Sequence, residues 1–273
     1  MSVTPMAMAW AADLLGRAAV PVGELPSASI PAGYREVRAG DERVFWPPAD
    51  PSLPVVGLSP APVGDPTGTA GTILAALLPE WRSANAWQPT SSGRTLSGWR
   101  FDTSRGDFGR PGPDGSTYVA ALLMVLACSG QERLLWALGS PARAILDGEP
   151  LLRVLHALPV ADGTPSEAEL ILGTWRLTTG YGVSQYTFRA DGSFERGMSA
   201  TTTFGITEHT TSTAKPGRYE VTAGILELTS GDGGDSFRAR VFDELGYGAE
   251  TPLRQLGLLP VEPGPEVDYA LVV

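Results

Sequence analysis

The strand-like alternation between about residue 170 and residue 245 is the feature that most constrains the fold of this chain. Segments such as 218–222, 225–230 and 236–241 place apolar and polar residues at alternate positions. Turn signals separate these segments at intervals of about eight to twelve residues, which is typical of antiparallel sandwiches and closed barrels. The pattern therefore predicts a series of hairpins with one buried face.

The alternation assigns residues to the two faces of the predicted sheet. The residues predicted to face the core are Tyr219, Val221, Leu226, Leu228, Phe237, Ala239 and Val241. The residues predicted to face solvent are Arg218, Glu220, Thr222, Glu227, Arg238 and Arg240. A Thr- and Ser-rich tract, 201–217, lies between two of the predicted hairpins.

The first 160 residues combine strand-like and helix-like segments. Two short strands are predicted around the turn 39–41. The apolar run 117–128 is predicted to form a hairpin with 131–139, and its continuity indicates a central strand covered on both faces.

Three segments of this first part show helical spacing of apolar residues: about 6–18, 69–81 and 140–158. Within the last of them, Gly148 and Pro150 are predicted to divide the helix into two pieces. The first part is therefore predicted to be an α+β domain, in which helices pack on an antiparallel sheet.

The segment 159–169 has the composition of a linker, so we place a domain boundary at about residue 160. The predicted organisation is an α+β domain over residues 1–160, followed by an all-β antiparallel barrel or half-barrel over residues 161–273. The predicted fold class of the whole chain is α+β.

Composition excludes several classes of partner and location. A formal net charge of -10 argues against a nucleic-acid partner. The single cysteine, Cys128, lies in an apolar run, so a buried thiol is expected, without an internal disulfide or a thiolate metal cluster. The first twenty residues lack the basic region of a signal peptide, and the longest apolar stretch, 118–128, is too short for a spanning helix. We therefore expect a cytoplasmic protein without a membrane span.

The segment from about 170 to 245 resembles the lipocalin-like (calycin) β-barrel superfamily. The matching residues are Gly173 and Trp175 in "LGTW", the hairpin "YTFRADGSF", and the later hairpin "GRYEVTAGILEL". The resemblance implies an up-and-down barrel in which Trp175 closes one end. The lipocalin cysteine pair is absent, so the resemblance implies a small intracellular barrel rather than a secreted transporter.

The first part resembles the PsbP/Mog1-like fold, which includes the DcrB-like adaptor proteins, in the order of its elements. The matching segments are "IPAGYREVR", 30–38, and the hairpin region 115–140, which precedes a closing helix. Members of that fold are mostly binding or adaptor modules, so the resemblance implies a role of this kind.

Few titratable residues are candidates for catalysis. His156 lies among leucines of a predicted helix, and we expect it to be structural. His209 adjoins Glu208 in the Thr-rich tract; an exposed loop histidine is the commoner case, but an imidazole can act as a base or bind a ligand carbonyl. With Tyr186, these two residues are the catalytic candidates. "GDGGD", 231–235, lacks the later oxygen ligands of a calcium loop and predicts a hairpin turn, so neither a metal nor a cofactor is expected.

Aromatic residues of the second part could line a cavity inside the barrel. The candidate ligand-binding residues are Trp175, Tyr186, Phe188, Phe194, Phe204, Tyr219 and Phe237, and Phe242 belongs to the same aromatic set. A small barrel filled by its own side chains is the alternative.

Three hypotheses of function follow. The first is a non-catalytic binding or adaptor protein for a hydrophobic small molecule or an apolar peptide. The second is an enzyme, a cyclase or isomerase, acting on a ligand held in the barrel. The third is a structural partner in a larger assembly, with the Pro-rich segment 47–66 as an exposed interaction segment.

Overall fold

The computed structural model describes residues 33–39, 42–47, 54–60, 82–110, 117–128, 130–139, 149–158, 167–179, 182–204, 207–231, 233–244, 252–261 and 267–272. The chain divides into two compact units, Met1–Thr90 with Phe101–Pro159, and Ser91–Arg100 with Val160–Val273. The predicted division into two domains at about residue 160 stays a prediction.

Strands dominate the described residues. In chain order they are β1 (Arg35–Ala39), β2 (Glu42–Trp46), β3 (Val55–Pro60), β4 (Arg82–Ser83), β5 (Gln88–Thr95), β6 (Arg100–Arg110), β7 (Thr117–Cys128), β8 (Gln131–Gly139), β9 (Gly173–Thr179), β10 (Gly182–Phe188), β11 (Ser193–Phe204), β12 (Thr207–Thr222), β13 (Ile225–Ser230), β14 (Gly233–Glu244), β15 (Leu253–Pro260) and β16 (Val267–Val272). An α-helix, α1 (Glu149–Ala157), precedes a short 3₁₀ helix, Ala168–Ile171.

In the first unit, β1, β2, β3, β8 and β7 lie side by side and pair antiparallel. The predicted strands on either side of residues 39–41 and the predicted hairpin of 117–128 with 131–139 are confirmed. Every side chain from Leu134 to Leu138 in β8 is buried, so this strand is covered on both faces.

The Pro-rich segment 47–66 is not an exposed interaction segment where the structure describes it. Its central residues form β3, which pairs with β2 on one side and β8 on the other. Val55, Val56 and Leu58 are buried. Within this segment the run "PVVGLSP", 54–60, also predicts a short strand, and β3 confirms that prediction; its two β-branched valines favour a strand.

The prediction of an α+β fold with packed helices is wrong, because the described residues are mostly strands and include one α-helix. Two predicted helical segments, about 6–18 and 69–81, lie outside the described residues. In the third, α1 begins at Glu149, so Pro150 stands in its first turn, where a missing N–H costs nothing. Residues 140–148 lie outside the described residues, so the division of a longer helix at Gly148 and Pro150 stays a prediction. The described core of the first unit is built mainly by strand residues, and the α+β architecture that the PsbP/Mog1-like resemblance implies is not found there.

The second unit is a closed antiparallel barrel of eight strands. Each strand from β9 to β16 pairs with the next one along the chain, and β16 pairs with β9 to close the ring. The predicted barrel is therefore confirmed. Its predicted hairpin turns at Asp191–Gly192, at Gly224 and in 231–235 also join the strands as expected. Gly192 and Gly224 both have a φ of +77°, which a glycine adopts without strain.

One end of the barrel, termed the closed end, is covered by the 3₁₀ helix and by the turn that follows β5. The Trp175 indole donates a hydrogen bond of 2.7 Å to the Ile171 carbonyl. Leu96 is fully buried, and its backbone N–H donates a hydrogen bond to the Ala239 carbonyl. The Leu96 carbonyl accepts a hydrogen bond from the backbone N–H of Glu167. Trp175 is therefore buried in the core of the barrel unit, and its role in closing one end stays a prediction.

The hairpin of β11 and β12 extends past the neighbouring strands at the opposite end. Strand β10 pairs with β11 only as far as Ala200, and β13 pairs with β12 only from Gly217 onward. Beyond these residues the two strands pair with each other up to Phe204 and Thr207. The Thr-rich tract is thus part of a long two-stranded ribbon instead of an irregular loop.

Candidate functional site

Aromatic side chains fill the barrel interior toward the closed end. The rings of Tyr186 and Phe188 stack with centroids 5.8 Å apart, and Tyr186 meets Tyr269 edge-on at 5.3 Å. Phe188 also contacts Phe194 at 6.2 Å and Tyr219 at 5.3 Å. This part of the interior is a packed core, with ring geometries that are favourable for aromatic pairs.

A cavity of about 240 Å³ lies beyond this core, next to the ends of β13 and the start of β14. Its described lining residues are Phe194, Arg196, Lys215, Leu228, Ser230, Gly233, Gly234 and Asp235. Phe194 and Leu228 are buried and form its apolar side. Gly233 and Gly234, which have no side chains, contribute backbone atoms to the lining of the cavity. We refer to this cavity as the barrel cavity.

The strand registers explain why polar side chains reach the barrel cavity. Arg196 lies directly opposite Tyr186 on one side and directly opposite Lys215 on the other. It therefore points to the same face as Tyr186, which is buried in the barrel core. Asp235 lies opposite Leu228, another core residue. The three charged residues Arg196, Lys215 and Asp235 therefore continue inward registers whose other positions are apolar.

The Arg196 guanidinium in the barrel cavity is only partly satisfied by the described residues. An Arg196 guanidinium nitrogen lies 3.7 Å from an Asp235 carboxylate oxygen, which is an ion pair too long for a hydrogen bond. The Nε of Arg196 is shielded from solvent and has no hydrogen-bond acceptor among the described residues. The guanidinium carbon also lies 5.6 Å from the centroid of the Tyr186 ring, within range of a cation–π contact.

The Tyr186 hydroxyl is an unfavourable base at neutral pH. Burial raises the pKa of Tyr186 to about 12, and the nearby positive charge of Arg196 opposes that shift without cancelling it. The phenol therefore stays protonated and can donate a hydrogen bond. Its edge-on neighbour Tyr269 has its hydroxyl 3.4 Å from that of Ser184.

The predicted ligand-binding aromatics fall into separate places. Trp175, Tyr186 and Phe188 belong to the packed core, and Phe194 is the member of the set that lines the barrel cavity. Tyr219 and Phe237 pack partly buried against the core, and the Tyr219 hydroxyl donates to the Arg189 carbonyl.

Two other residues named from the sequence, Phe242 and Arg240, lie outside this core cluster. Phe242 is buried, but it shares the strand face of Arg240, whose guanidinium carbon lies 4.0 Å from the ring centroid. Arg240 was predicted to face solvent and is instead buried. Phe204 lies at the tip of the β11–β12 ribbon, and its side chain is outside the described part of the structure.

The catalytic role of Glu208, His209 and Tyr186 stays a prediction. Glu208 and His209 pair with Thr203 and Thr202 in the ribbon, and their side chains lie outside the described part. His156 is buried in α1. In the described part of the chain, no group of three or more His, Cys, Asp or Glu residues is arranged to hold a metal ion. Within the same ranges, none of the helices combines the length and apolar character needed to cross a bilayer.

The sequence analysis missed the charged residues that line the barrel cavity. A usable signal was present: Arg196 follows Phe194 by two positions, and Lys215 precedes Tyr219 by four, so both continue an inward register. Asp235 precedes Phe237 by two positions, so it also continues an inward register. A charged residue in the buried register of a barrel strand marks the place where the interior changes from core to cavity.

Comparison with known proteins does not add to this picture. No protein-family model matches the chain, and no curated protein shows significant sequence similarity to it. Function is therefore inferred from the geometry of the barrel cavity alone.

Proposed function

We propose that this protein is a non-catalytic binding protein that holds a small molecule in the barrel cavity. The carrying observation is a closed barrel that is packed with aromatic residues toward the Trp175 end, yet leaves a volume of about 240 Å³ among Phe194, Leu228 and converging polar groups. Binding sites commonly combine an apolar lining with a few polar groups that orient the ligand.

The size of the barrel cavity favours a small molecule over a peptide. Ligand pockets typically measure about 300–1,000 Å³, so this cavity, at about 240 Å³, is smaller than a typical ligand pocket. An apolar cavity of about 150 Å³ is sufficient for benzene. A ligand with one ring, or with a short alkyl chain and a polar head, has the appropriate size.

The order and number of the strands support a lipocalin-like assignment of the second unit as part of this proposal. Eight antiparallel strands follow each other around the ring, and Trp175 is buried at one end, where its indole bonds to the segment that precedes β9. Function cannot be carried over from a fold of this kind, so the ligand has to be argued from the site.

Polar groups converge on the cavity, and the one carboxylate among its described lining residues, Asp235, is engaged in an ion pair with Arg196 at 3.7 Å. The charged groups described there are two cations and one carboxylate, and Tyr186 keeps its proton at neutral pH because burial raises its pKa to about 12. This composition is suited to holding a polar group, which supports the binding proposal over the cyclase or isomerase hypothesis.

Native mass spectrometry of the purified protein tests the proposal through a matched pair of variants. Ser230→Trp adds a large side chain at a residue that lines the cavity, whereas Thr229→Trp adds the same side chain at the adjacent, exposed position of β13. We expect a co-purified small molecule on the wild type and on Thr229→Trp, and none on Ser230→Trp.

An adduct of equal occupancy on all three proteins would contradict the proposal, as would a wild type that never carries one. Circular dichroism of each variant verifies that the barrel has folded.

A further inference from the structure

We propose that the barrel cavity binds a small apolar molecule through a carbonyl oxygen, which accepts hydrogen bonds from the guanidinium of Arg196. This inference rests on the proposed function and names the chemical class of its ligand. Three features of the inward face of β11 support it: the fixed direction of Arg196, the unused donors of its guanidinium, and the exposure of the next residue on that face.

The guanidinium of Arg196 is oriented but not saturated. Its carbon lies 5.6 Å from the centroid of the Tyr186 ring, and one of its nitrogens lies 3.7 Å from an Asp235 carboxylate oxygen. These two contacts orient the guanidinium, yet neither is a hydrogen bond. The shielded Nε has no acceptor within the described ranges. The side chain is 39% exposed and lines the barrel cavity, so part of the group is open to a ligand.

The donors of Arg196 define which ligand group fits. A guanidinium carries N–H donors and no acceptor, so its complement is an oxygen that accepts hydrogen bonds without donating one. A carbonyl oxygen meets this condition. The charge of Arg196 already faces Asp235, and a ligand carboxylate at the same guanidinium would lie beside that side chain, where like charges repel each other. An uncharged carbonyl group avoids this repulsion.

The inward face of β11 changes from buried to exposed along the strand. Phe194 is buried, the Arg196 side chain is 39% exposed, and Met198, two positions further along the same face, is 51% exposed. Met198 lies directly opposite Ser184, whose hydroxyl is 3.4 Å from that of the core residue Tyr269. A ligand whose carbonyl binds Arg196 therefore approaches past Met198 and places its apolar end against Phe194.

NMR of the intact protein with isotope-labelled methionine methyl groups tests the inference. The two ligands are acetophenone and α-methylstyrene, which has nearly the same shape with a methylene group in place of the carbonyl oxygen. We expect both ligands to shift the methyl signal of Met198, whereas the signal of Met124, which is buried in the first unit, should stay unchanged. Titrations followed at Met198 give the affinity of each ligand.

Substitution of Arg196 measures the contribution of the hydrogen bond. In Arg196→Leu the affinity for acetophenone, relative to that for α-methylstyrene, is expected to fall about tenfold, as for a hydrogen bond to a charged group. The ratio is compared between proteins because the difference in hydration of the two ligands then cancels. Arg176→Leu, on the exposed face of β9, is the matched control and should leave the ratio unchanged.

The wild type provides a second measurement, which does not depend on the folding of a variant. The carbonyl carbon of isotope-labelled acetophenone resonates further downfield when its oxygen accepts hydrogen bonds. We expect the signal of the bound ligand to lie downfield of its position in cyclohexane, a solvent without hydrogen-bond donors.

A bound carbonyl signal at the cyclohexane position, or an Arg196→Leu variant with the wild-type affinity ratio, would overturn the inference. Benzoate binding more tightly than acetophenone would overturn the assignment to an uncharged group. Absence of any Met198 shift with either ligand would also overturn it, while the Ser230→Trp and Thr229→Trp adducts decide the proposed function separately.

Discussion

Burial determines the properties of Tyr186 more than its charged neighbour does. The ring lies in the aromatic core, in contact with Phe188 and Tyr269, and opposite Arg196 in the strand register. Arg196 stabilises the phenolate, yet the loss of solvent around the phenol outweighs this effect, and the pKa of Tyr186 rises to about 12. The residue thus acts in the fold as a neutral hydrogen-bond donor and an apolar ring.

The Tyr186→Phe variant is expected to lose less unfolding free energy than the wild type as the pH rises from 10 to 12. In the unfolded chain the phenol ionises near pH 10, whereas in the folded barrel it keeps its proton until about pH 12. Wild type should therefore lose about 1.4 kcal/mol of unfolding free energy for each pH unit between these values, in excess of the loss in Tyr186→Phe.

Urea unfolding at a series of pH values from 9 to 12 measures this difference. The contribution of Tyr186 is fully present below pH 10 and is lost as the pH rises toward 12. Parallel pH profiles of the two proteins would show that the folded and unfolded phenols ionise together, contrary to the prediction.

At the scale of elements, the 3₁₀ helix and β9 are connected by one side chain. Trp175 comes from β9, and its indole N–H bonds to the Ile171 carbonyl at the end of the 3₁₀ helix. The Gly-x-Trp motif predicted that Trp175 closes one end of the barrel; the structure shows a buried indole bonded to Ile171, and the closing role stays a prediction. Its bonding partner was not predictable, because Ile171 stands between the predicted linker, 159–169, and the first predicted barrel strand, where the local pattern assigns no partner.

Trp175→Phe is expected to destabilise the protein by about 1–3 kcal/mol more than Trp99→Phe does. Both tryptophans are about 1% exposed, so the two substitutions remove similar buried volume. Trp175 loses a hydrogen bond and leaves a buried carbonyl without its donor, whereas the Trp99 indole N–H has no acceptor among the described residues.

Urea unfolding of the two variants gives the comparison directly, since each serves as the control of the other for lost volume. Equal destabilisation would mean that the indole hydrogen bond contributes nothing measurable to the closed end.

At the scale of the whole molecule, the second unit is discontinuous in sequence. Ser91–Arg100 belongs to the same unit as the barrel strands, although it lies about sixty residues before the predicted boundary. Residues Ser91–Thr95 of β5 pair with β14, and Leu96 is fully buried in the barrel core. A division of the chain into two consecutive segments would remove this residue from the core that it helps to fill.

Leu96→Ala is therefore expected to destabilise the barrel by about 2–5 kcal/mol, as other large-to-small core substitutions do. Leu253→Ala is the control, because Leu253 is 58% exposed in β15 and should change stability by less than about 0.5 kcal/mol. Near-ultraviolet circular dichroism during urea unfolding follows the aromatic core. A Leu96→Ala barrel as stable as the control would contradict the placement of Leu96 in that core.

The local sequence pattern by itself determined which residues of a strand face the core and where the hairpin turns lie. Alternation in 218–241 identified the inward residues from Tyr219 to Val241, because successive side chains of a strand point to opposite faces. Glycine-containing turns at Gly192 and Gly224 were predictable since their positive φ disfavours other residues. Helical spacing in the first part led to the wrong prediction of an α+β fold class, because short apolar runs fit a strand and a helix equally well.

Tertiary structure alone decided where the barrel interior is filled and where it is open. Closure of β16 on β9 and the stagger of the strands bring Arg196, Lys215 and Asp235 to one cavity, although they are far apart in sequence. Each residue continues an inward register, but its sequence neighbours do not reveal which other strands it faces. Alternation determines the face of a residue, and only the pairing of distant strands determines its neighbours in space.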